Sequence, residues 1–368
     1  MRIISTTQTH NAQEQIGDAL RSVLPFVDAC LVVDSGVTDR TFEIARRVAC
    51  EKLITRKFDW KNDFSMARNY HLLESDEMRF DWAITLDTDE RINGLTREYL
   101  ETTDADIVNV RASNGTYEKN RAFRLPAKGR WRFPVHEAFI PSPDAKAVTH
   151  PTATFDELPK SREALIAKLK RCVEILTVET KKENSSWLWY YLGDSHEALA
   201  SYLKIPLHNY LAIQAFHSCV AAKGGAEEAA IAMFHAAHCH LCRQEPEDAI
   251  KCAIKGMGIH QGVPDIPWIG ALACMTLKEP RRAIYFASIA AALGFYSGCG
   301  GVLQRAMTRH WAIGWAPLYE GPYEILAWAY HEIGLDYESQ QALTDGHAAK
   351  QMRIARHGQT PMELSYGS

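Results

Sequence analysis

Two stretches of this sequence, Glu245-Pro246-Glu247-Asp248-Ala249-Ile250-Lys251-Cys252-Ala253 and Glu279-Pro280-Arg281-Arg282-Ala283-Ile284-Tyr285-Phe286-Ala287, align without a gap at an offset of 34 residues. A period of that length constrains the fold strongly, because one such unit is a single pair of helices that cannot bury its apolar side alone. Units must therefore stack. Small residues within the repeat let paired helices approach closely. From about Pro159 onward helical periodicity dominates, and four helix pairs are expected at roughly 186–222, 226–259, 264–294 and 318–352. The Gly-rich stretch Gly294 to Gly301 interrupts the series and is expected to form a long loop.

The N-terminal part has a different rhythm. Ile3 to Thr7 and Ala29 to Val33 are apolar runs of strand length, and each is followed by a helical pattern. The first helix is expected to begin at Asn11, with Glu14 completing a capping box and Ile16, Ala19, Leu20 and Val23 forming one apolar stripe. The second covers Thr41 to Val48, and further strands are expected at Ala83 to Leu86 and Asp106 to Val110. This βαβα order predicts a mostly parallel sheet whose ligands sit beyond the carboxyl ends of the strands. Two domains follow, 1–155 α/β and 156–368 all-α.

Composition narrows the partners. The 368 residues carry a net charge of −4, so no global attraction to a polyanion is expected, and a 46% hydrophobic content argues against disorder. No window holds the ~18 uninterrupted apolar residues of a membrane helix, and Met1 runs directly into a strand without a signal peptide. The expectation is a soluble cytoplasmic protein with no membrane span. Nine cysteines scattered along the chain fit reduced thiols better than a disulfide framework.

Chemistry concentrates at Asp81-Trp82-Ala83-Ile84-Thr85-Leu86-Asp87-Thr88-Asp89-Glu90, where a buried strand empties into three carboxylates. Residues two apart share a strand face, so Asp87 and Asp89 can aim at one cation, and hard oxygen donors suit Mg2+ or Mn2+. The alternative is a strand-to-turn junction that uses aspartate for its turn chemistry. Thr6, Thr7, Asp34 and Asp39 lie at neighbouring strand ends: Asp34 could hold a sugar hydroxyl or base N–H, whereas Asp39 could equally be a plain helix cap. Arg68 could face a diphosphate or form a surface ion pair with Asp63.

Asp34-Ser35-Gly36-x-Thr38-Asp39-x-Thr41, the segment from Trp60 to Asn69 and Leu86-Asp87-Thr88-Asp89-Glu90 together resemble the family-two GT-A nucleotide-sugar glycosyltransferases, over about the first 140 residues. The branch most similar is that of lipopolysaccharide-core glucosyltransferases and of peptide S-glycosyltransferases with tetratricopeptide tails. One departure is Thr7-Gln8-Thr9-His10-Asn11, where the family often has Lys-Asn-Glu. The resemblance implies a Rossmann-like GT-A sheet, uridine recognition by Thr6, Thr7 and Asp34, and a metal-bound diphosphate at Asp87-Thr88-Asp89, with inversion at the sugar carbon. The donor and cofactors implied are a UDP-sugar and Mn2+ or Mg2+. Trp189-x-x-Leu192-Gly193-x-x-His196 likewise matches the tetratricopeptide pattern except at His196.

Downstream, Lys119, Arg121, Arg124, Lys128, Arg130 and Arg132 form a basic segment, readable as a solvated loop or as a grip on acceptor phosphates. His136-Glu137 also resembles the family: His136 would complete the metal shell beside Asp87 and Asp89, and Glu137 would deprotonate the acceptor, provided the chain bends there. His235, His238, Cys239 and Cys242 share a helix face, but seven residues span ~10 Å, too far for four ligands to converge on one ion. The expectation is a metal-dependent glycosyltransferase with Glu137, Asp89 and Arg68 as catalytic residues. Thr6, Thr7, Asp34, Asp39, Arg68, Asp87 and Thr88 would hold the donor, and the acceptor would be a saccharide, a peptide or a hydroxymethylated DNA base. The repeats would position that acceptor or form a homodimer. The competing reading is a catalytically silent, repeat-based binding scaffold.

Overall fold

A computed structural model describes residues 1–114, 117–294 and 315–357 of the chain. It divides into two compact units, Met1–Lys160 and Ser161–Ser368. The Gly-rich loop expected over Gly294 to Gly301 lies, from residue 295, outside the described residues.

The first unit is an eight-stranded sheet in the order β3-β2-β1-β4-β7-β6-β10-β5. Its strands are β1 (Ile3–Thr9), β2 (Ala29–Asp34), β3 (Leu53–Lys57), β4 (Trp82–Thr85), β5 (Glu90–Asn93), β6 (Ile107–Ala112), β7 (Glu118–Arg124) and β10 (Ala147–Glu157). The first four are mutually parallel, as the βαβα pattern requires. Six of its eight strands run the same way, and the sheet is mixed because β7 runs antiparallel to both β4 and β6 and β5 is antiparallel to β10. Chain length explains β7. Only a short turn separates β6 from β7, closed by Ala112 N–H donating to Tyr117 O at 2.8 Å, and so short a connection can join only antiparallel strands.

Side chains alternate across the pleat. Ile3, Cys30, Val32, Trp82 and Ile84 join one core with α1 (Ile16–Val23) and α2 (Thr41–Ala49). Ile4, Leu31, Val33, Ala83 and Phe123 join the other with Leu72 of α3 (Phe64–Glu77) and with Trp131 and Phe139 of the hairpin β8 (Gly129–Arg132) and β9 (Ala138–Pro141). α1 buries the expected stripe of Ile16, Ala19, Leu20 and Val23, but its N-cap is Gln15, four residues past the expected Asn11, without a side-chain cap. Asp63, by contrast, caps α3 through the Met66 amide at 3.0 Å. A short helix, α4 (Arg97–Thr102), completes the unit.

The second unit opens with α5 (Arg162–Lys182) and continues as four helix pairs: α6 (Ser186–Leu203) with α7 (Pro206–Ala221), α8 (Ala226–Cys242) with α9 (Pro246–Ile259), α10 (Asp265–Thr276) with α11 (Pro280–Leu293), and α12 (Gly321–Glu332) with α13 (Asp336–His357). Each packs on its chain neighbour, and one core runs through all four pairs, from Tyr190 and Phe216 through Phe234, Ile250, Ile269 and Phe286 to Leu326. Glycines set the closest approaches. A Cβ on Gly193 would lie 2.6 Å from the Phe216 ring, and one on Gly270 would lie 2.9 Å from the Phe286 ring. Within every pair the turn between helices holds one residue of left-handed backbone: Lys204 (φ 56°), Gln244 (φ 62°), Lys278 (φ 57°) and Gly334 (φ 73°).

Candidate functional site

The carboxyl end of β4 delivers Leu86 and Asp87, and a turn closed by Glu90 N–H to Asp87 O returns the chain into β5. Glu90 is thereby drawn inside the sheet, with 0% exposure. Lys119 and Arg121 stand two apart on β7 and share a face, so both reach Glu90. Arg121 ion-pairs with Glu90 and lies 3.3 Å from Asp87 Oδ2. Arg68 comes from α3 and donates through Nη2 to Asp87 Oδ1 at 3.0 Å and through Nε to Glu137 Oε1 at 2.6 Å.

The result is a charge-compensated cluster. Burial alone would push the Asp87 carboxyl up, but Arg68 and Arg121, with Lys119 behind them, hold it well below the usual carboxylate range. Burial likewise opposes the Arg68 charge, and Asp87 and Glu137 restore it. Asp89 accepts from Lys160 at 2.5 Å, and Lys119 also pairs with Glu157. Four cations thus face five carboxylates: Arg68, Lys119, Arg121 and Lys160 against Asp87, Asp89, Glu90, Glu137 and Glu157. His71, buried, donates through Nε2 to Gln8 Oε1 at 2.9 Å and is pushed down to about 3 by burial and by Arg68, so it stays neutral.

The sequence-derived candidates fall as follows. Arg68, Asp87 and Glu137 meet, and the bend needed at His136-Glu137 exists, with left-handed backbone at Phe133 (φ 72°) and His136 (φ 50°). Arg68 pairs with Asp87 and Glu137, while Asp63 serves as a cap. Asp87, Asp89 and His136 are not brought together as one donor set. Among the described residues, the groups of three ligand atoms lying within 4.8 Å of one another are His217–His240–Cys252 and His240–Glu245–Asp248. Asp34 spends its Oδ1 on the amides of Gly36 and Val37, both at 2.8 Å, an aspartate turn that the sequence reading undervalued. Asp39 accepts from the Thr41 amide at 2.9 Å and the Gln13 amide at 3.1 Å, one residue before Arg40, the N-cap of α2. Thr6 and Thr7 are buried in β1, where the Thr6 hydroxyl points to Ile84 O at 3.5 Å, and the Thr88 carbonyl accepts from Arg91 at 3.0 Å.

The basic segment is not a solvated loop as a whole. Lys119 and Arg121 enter the cluster, Arg124 donates to the carbonyls of Thr103 and Ala105 at 2.7 and 3.0 Å, and Lys128 pairs with Asp106 and Asp144. In the repeat unit, sequence reasoning found His235 and His238 but not their partner: Glu197 of α6 accepts from His235 Nδ1 at 2.7 Å and from His238 Nδ1 at 2.6 Å. Burial works against its charge, and the two histidines outweigh it, drawing Glu197 down to about 2.

No family model matches the chain. A TPR repeat-containing protein of Synechococcus elongatus is 38% identical over 79 residues, which are 22% of this chain and 18% of that relative's length. The helical unit is a stack of helix pairs, and part of this chain is similar in sequence to that repeat protein. The chain spans less than a fifth of the relative it matches. Among solved structures, MamA overlaps with a TM-score of 0.39 at 13% identity, covering 54% of this chain and 99% of that one. A Podospora anserina kinesin light chain with TPR-like repeats overlaps at 0.36 and 14% identity, covering 53% and 90%. The glycosyltransferase expectation, with its enzyme class, its UDP-sugar donor and its metal motif, is corrected by the repeat match: the relative is a repeat protein, and the scaffold alternative fits it better. No described helix is long and apolar enough to cross a membrane.

Proposed function

We propose that the chain is a tetratricopeptide-type binding scaffold that takes an extended segment of a partner protein along its stacked helix pairs. The observation that carries this reading is the single core running unbroken through α6 to α13, in a chain whose curated relative is a repeat protein. Such stacks spend their apolar residues on neighbouring repeats and leave long surfaces for a partner. Leu207 and Tyr210 on α7 and Tyr285 on α11, the last 62% exposed, supply apolar and aromatic anchors of the kind that dominate protein interfaces. In the sheet unit, carboxylates matched by cations of the same chain fit a structural part in the scaffold.

Panning the full chain against a displayed peptide library tests this. Enriched peptides should bind with affinities that Leu207→Ser and Tyr285→Ser each reduce at least tenfold, with the thermal midpoint unchanged. If no peptide is enriched and the chain instead releases UDP from a UDP-sugar in a manganese-dependent reaction abolished by Asp89→Ala, the scaffold reading fails.

A further inference from the structure

His217 on α7, His240 on α8 and Cys252 on α9 come from three successive helices, yet their ligand atoms all lie within 4.8 Å of one another. We propose that these three residues bind one zinc-type divalent ion, which ties the three helices together and keeps one coordination position open. Two imidazoles and a thiolate are a donor set suited to zinc, and three protein ligands with a fourth position for water or an incoming donor is a common zinc arrangement.

The orientation of His240 carries the inference beyond proximity. Its Nδ1 lies 2.8 Å from Glu245 Oε2. An ionised carboxylate only accepts, so in the neutral ring the proton sits on Nδ1 and Nε2 presents a bare lone pair. Carboxylate, imidazole and metal in line is the usual way a ligating histidine is held. Glu245 is itself fixed by Arg243, through Nε at 3.0 Å and Nη2 at 2.8 Å, and Arg243 and His240 draw its carboxyl down to about 2. His217 makes no hydrogen bond or ion pair with another described residue. Burial, Lys255 and His240 lower its proton affinity, which keeps it in the ligating form.

Cys252 is a free thiol with 4% exposure and no hydrogen bond to a described residue. Burial raises it to about 11, so the ion must displace its proton. The step balances as Zn2+ plus Cys–SH giving a Zn–S(Cys) bond and one H+ released to solvent. Zn–N and Zn–S bond lengths place tetrahedral donors roughly 3.3 to 3.6 Å apart, so binding needs an inward adjustment of about an ångström, within reach of side-chain rotation. The overlapping group His240–Glu245–Asp248 is a poorer competitor, because Arg243 holds Glu245 and Lys251 holds Asp248 at 2.7 Å. Lys255 stands near Cys252 and His217 and Lys251 near Cys252 as opposing charges, with Asp248 on the other side of the balance.

Cobalt(II) added to the purified full chain tests the proposal, because a tetrahedral thiolate site gives intense visible bands and a thiolate-to-metal charge-transfer band. One equivalent should bind, zinc should displace it, and one proton should be released. Cys252→Ser should lose the charge-transfer band. His217→Asn and His240→Asn should weaken binding at least tenfold, and Cys242→Ser should change nothing. The control matters because His238 Nε2 and Cys242 Sγ lie 3.8 Å apart on α8 and form a competing pair. Circular dichroism of the metal-free variants checks that each folds, and Cys252→Ala serves if the serine variant does not. The proposal is overturned if the unaltered chain gives no tetrahedral spectrum, or if the bands survive Cys252→Ser and vanish with Cys242→Ser.

Discussion

Replacing Glu197 by glutamine keeps the shape of the side chain between His235 and His238 but removes its charge, so the variant measures what the buried carboxylate contributes. Against burial, the two imidazoles move the carboxyl from 4.5 to about 2. At about 1.4 kcal/mol per pH unit, that displacement corresponds to about 3 kcal/mol. His238 moves from 6.5 to about 10: burial opposes its charge, and Cys242 and Glu197 overcome that. The contact with Glu197 underlies both shifts, so it is counted once. A lowered carboxyl contributes stability above about pH 4.5 and loses it as pH falls through about 2. A raised imidazole contributes fully below about pH 6.5 and loses it as pH rises through about 10. The window of full strength therefore lies between about pH 4.5 and 6.5. In a unit of this size 1 kcal/mol is worth roughly 2 to 4 °C, so Glu197→Gln should lower the thermal midpoint by roughly 6 to 12 °C near pH 5.5. The deficit should shrink steadily toward pH 10. Paired melts of the two proteins at half-unit pH steps supply the measurement, and a deficit that is constant from pH 5.5 to 10, or under about 2 °C throughout, would refute the reasoning.

Arg121→Met should destabilise the chain by about 3 to 5 kcal/mol in urea unfolding, because among the described residues Glu90 keeps Lys119 alone as an ion-pair partner, and adding Glu90→Gln should recover part of the loss. Gly193→Ala places a methyl group 2.6 Å from the Phe216 ring and should cost roughly 1 to 3 kcal/mol by the same measure, with a smaller loss in a Phe216→Leu background. His71, lowered to about 3, should show no imidazole titration by NMR between pH 8 and 4.5. Its refusal of a proton that the unfolded chain accepts should make stability fall as pH drops below about 6.5, and Gln8→Ala should leave that trend in place.

Elements built from local pattern were legible. α8 and α9 cover the residues the 34-residue period assigns to a helix pair, and β1, β2 and β4 lie where short apolar runs placed them. Elements defined by distant partners were not. Glu90 reads in sequence as one of three carboxylates at a site mouth, and it is buried because Arg121, which pairs with it, arrives on a strand that no local signal announces. The same blindness covers Lys160 at Asp89 and Glu197 between its histidines. The turn at Asp34 was legible, since Gly36 stands two residues later. His217, His240 and Cys252 have no shared motif, because helix stacking alone makes them neighbours.

The left-handed residues between paired helices carry a consequence for how arrays of this kind diverge. Lysine, glutamine, lysine and glycine occupy equivalent joints, so what is held in common there is a backbone angle and not an amino acid. Any residue that tolerates positive φ can stand at such a joint, whereas β-branched residues are disfavoured by their bulk and proline by its ring. A scan for glycine would find one of the four joints within the described helix pairs.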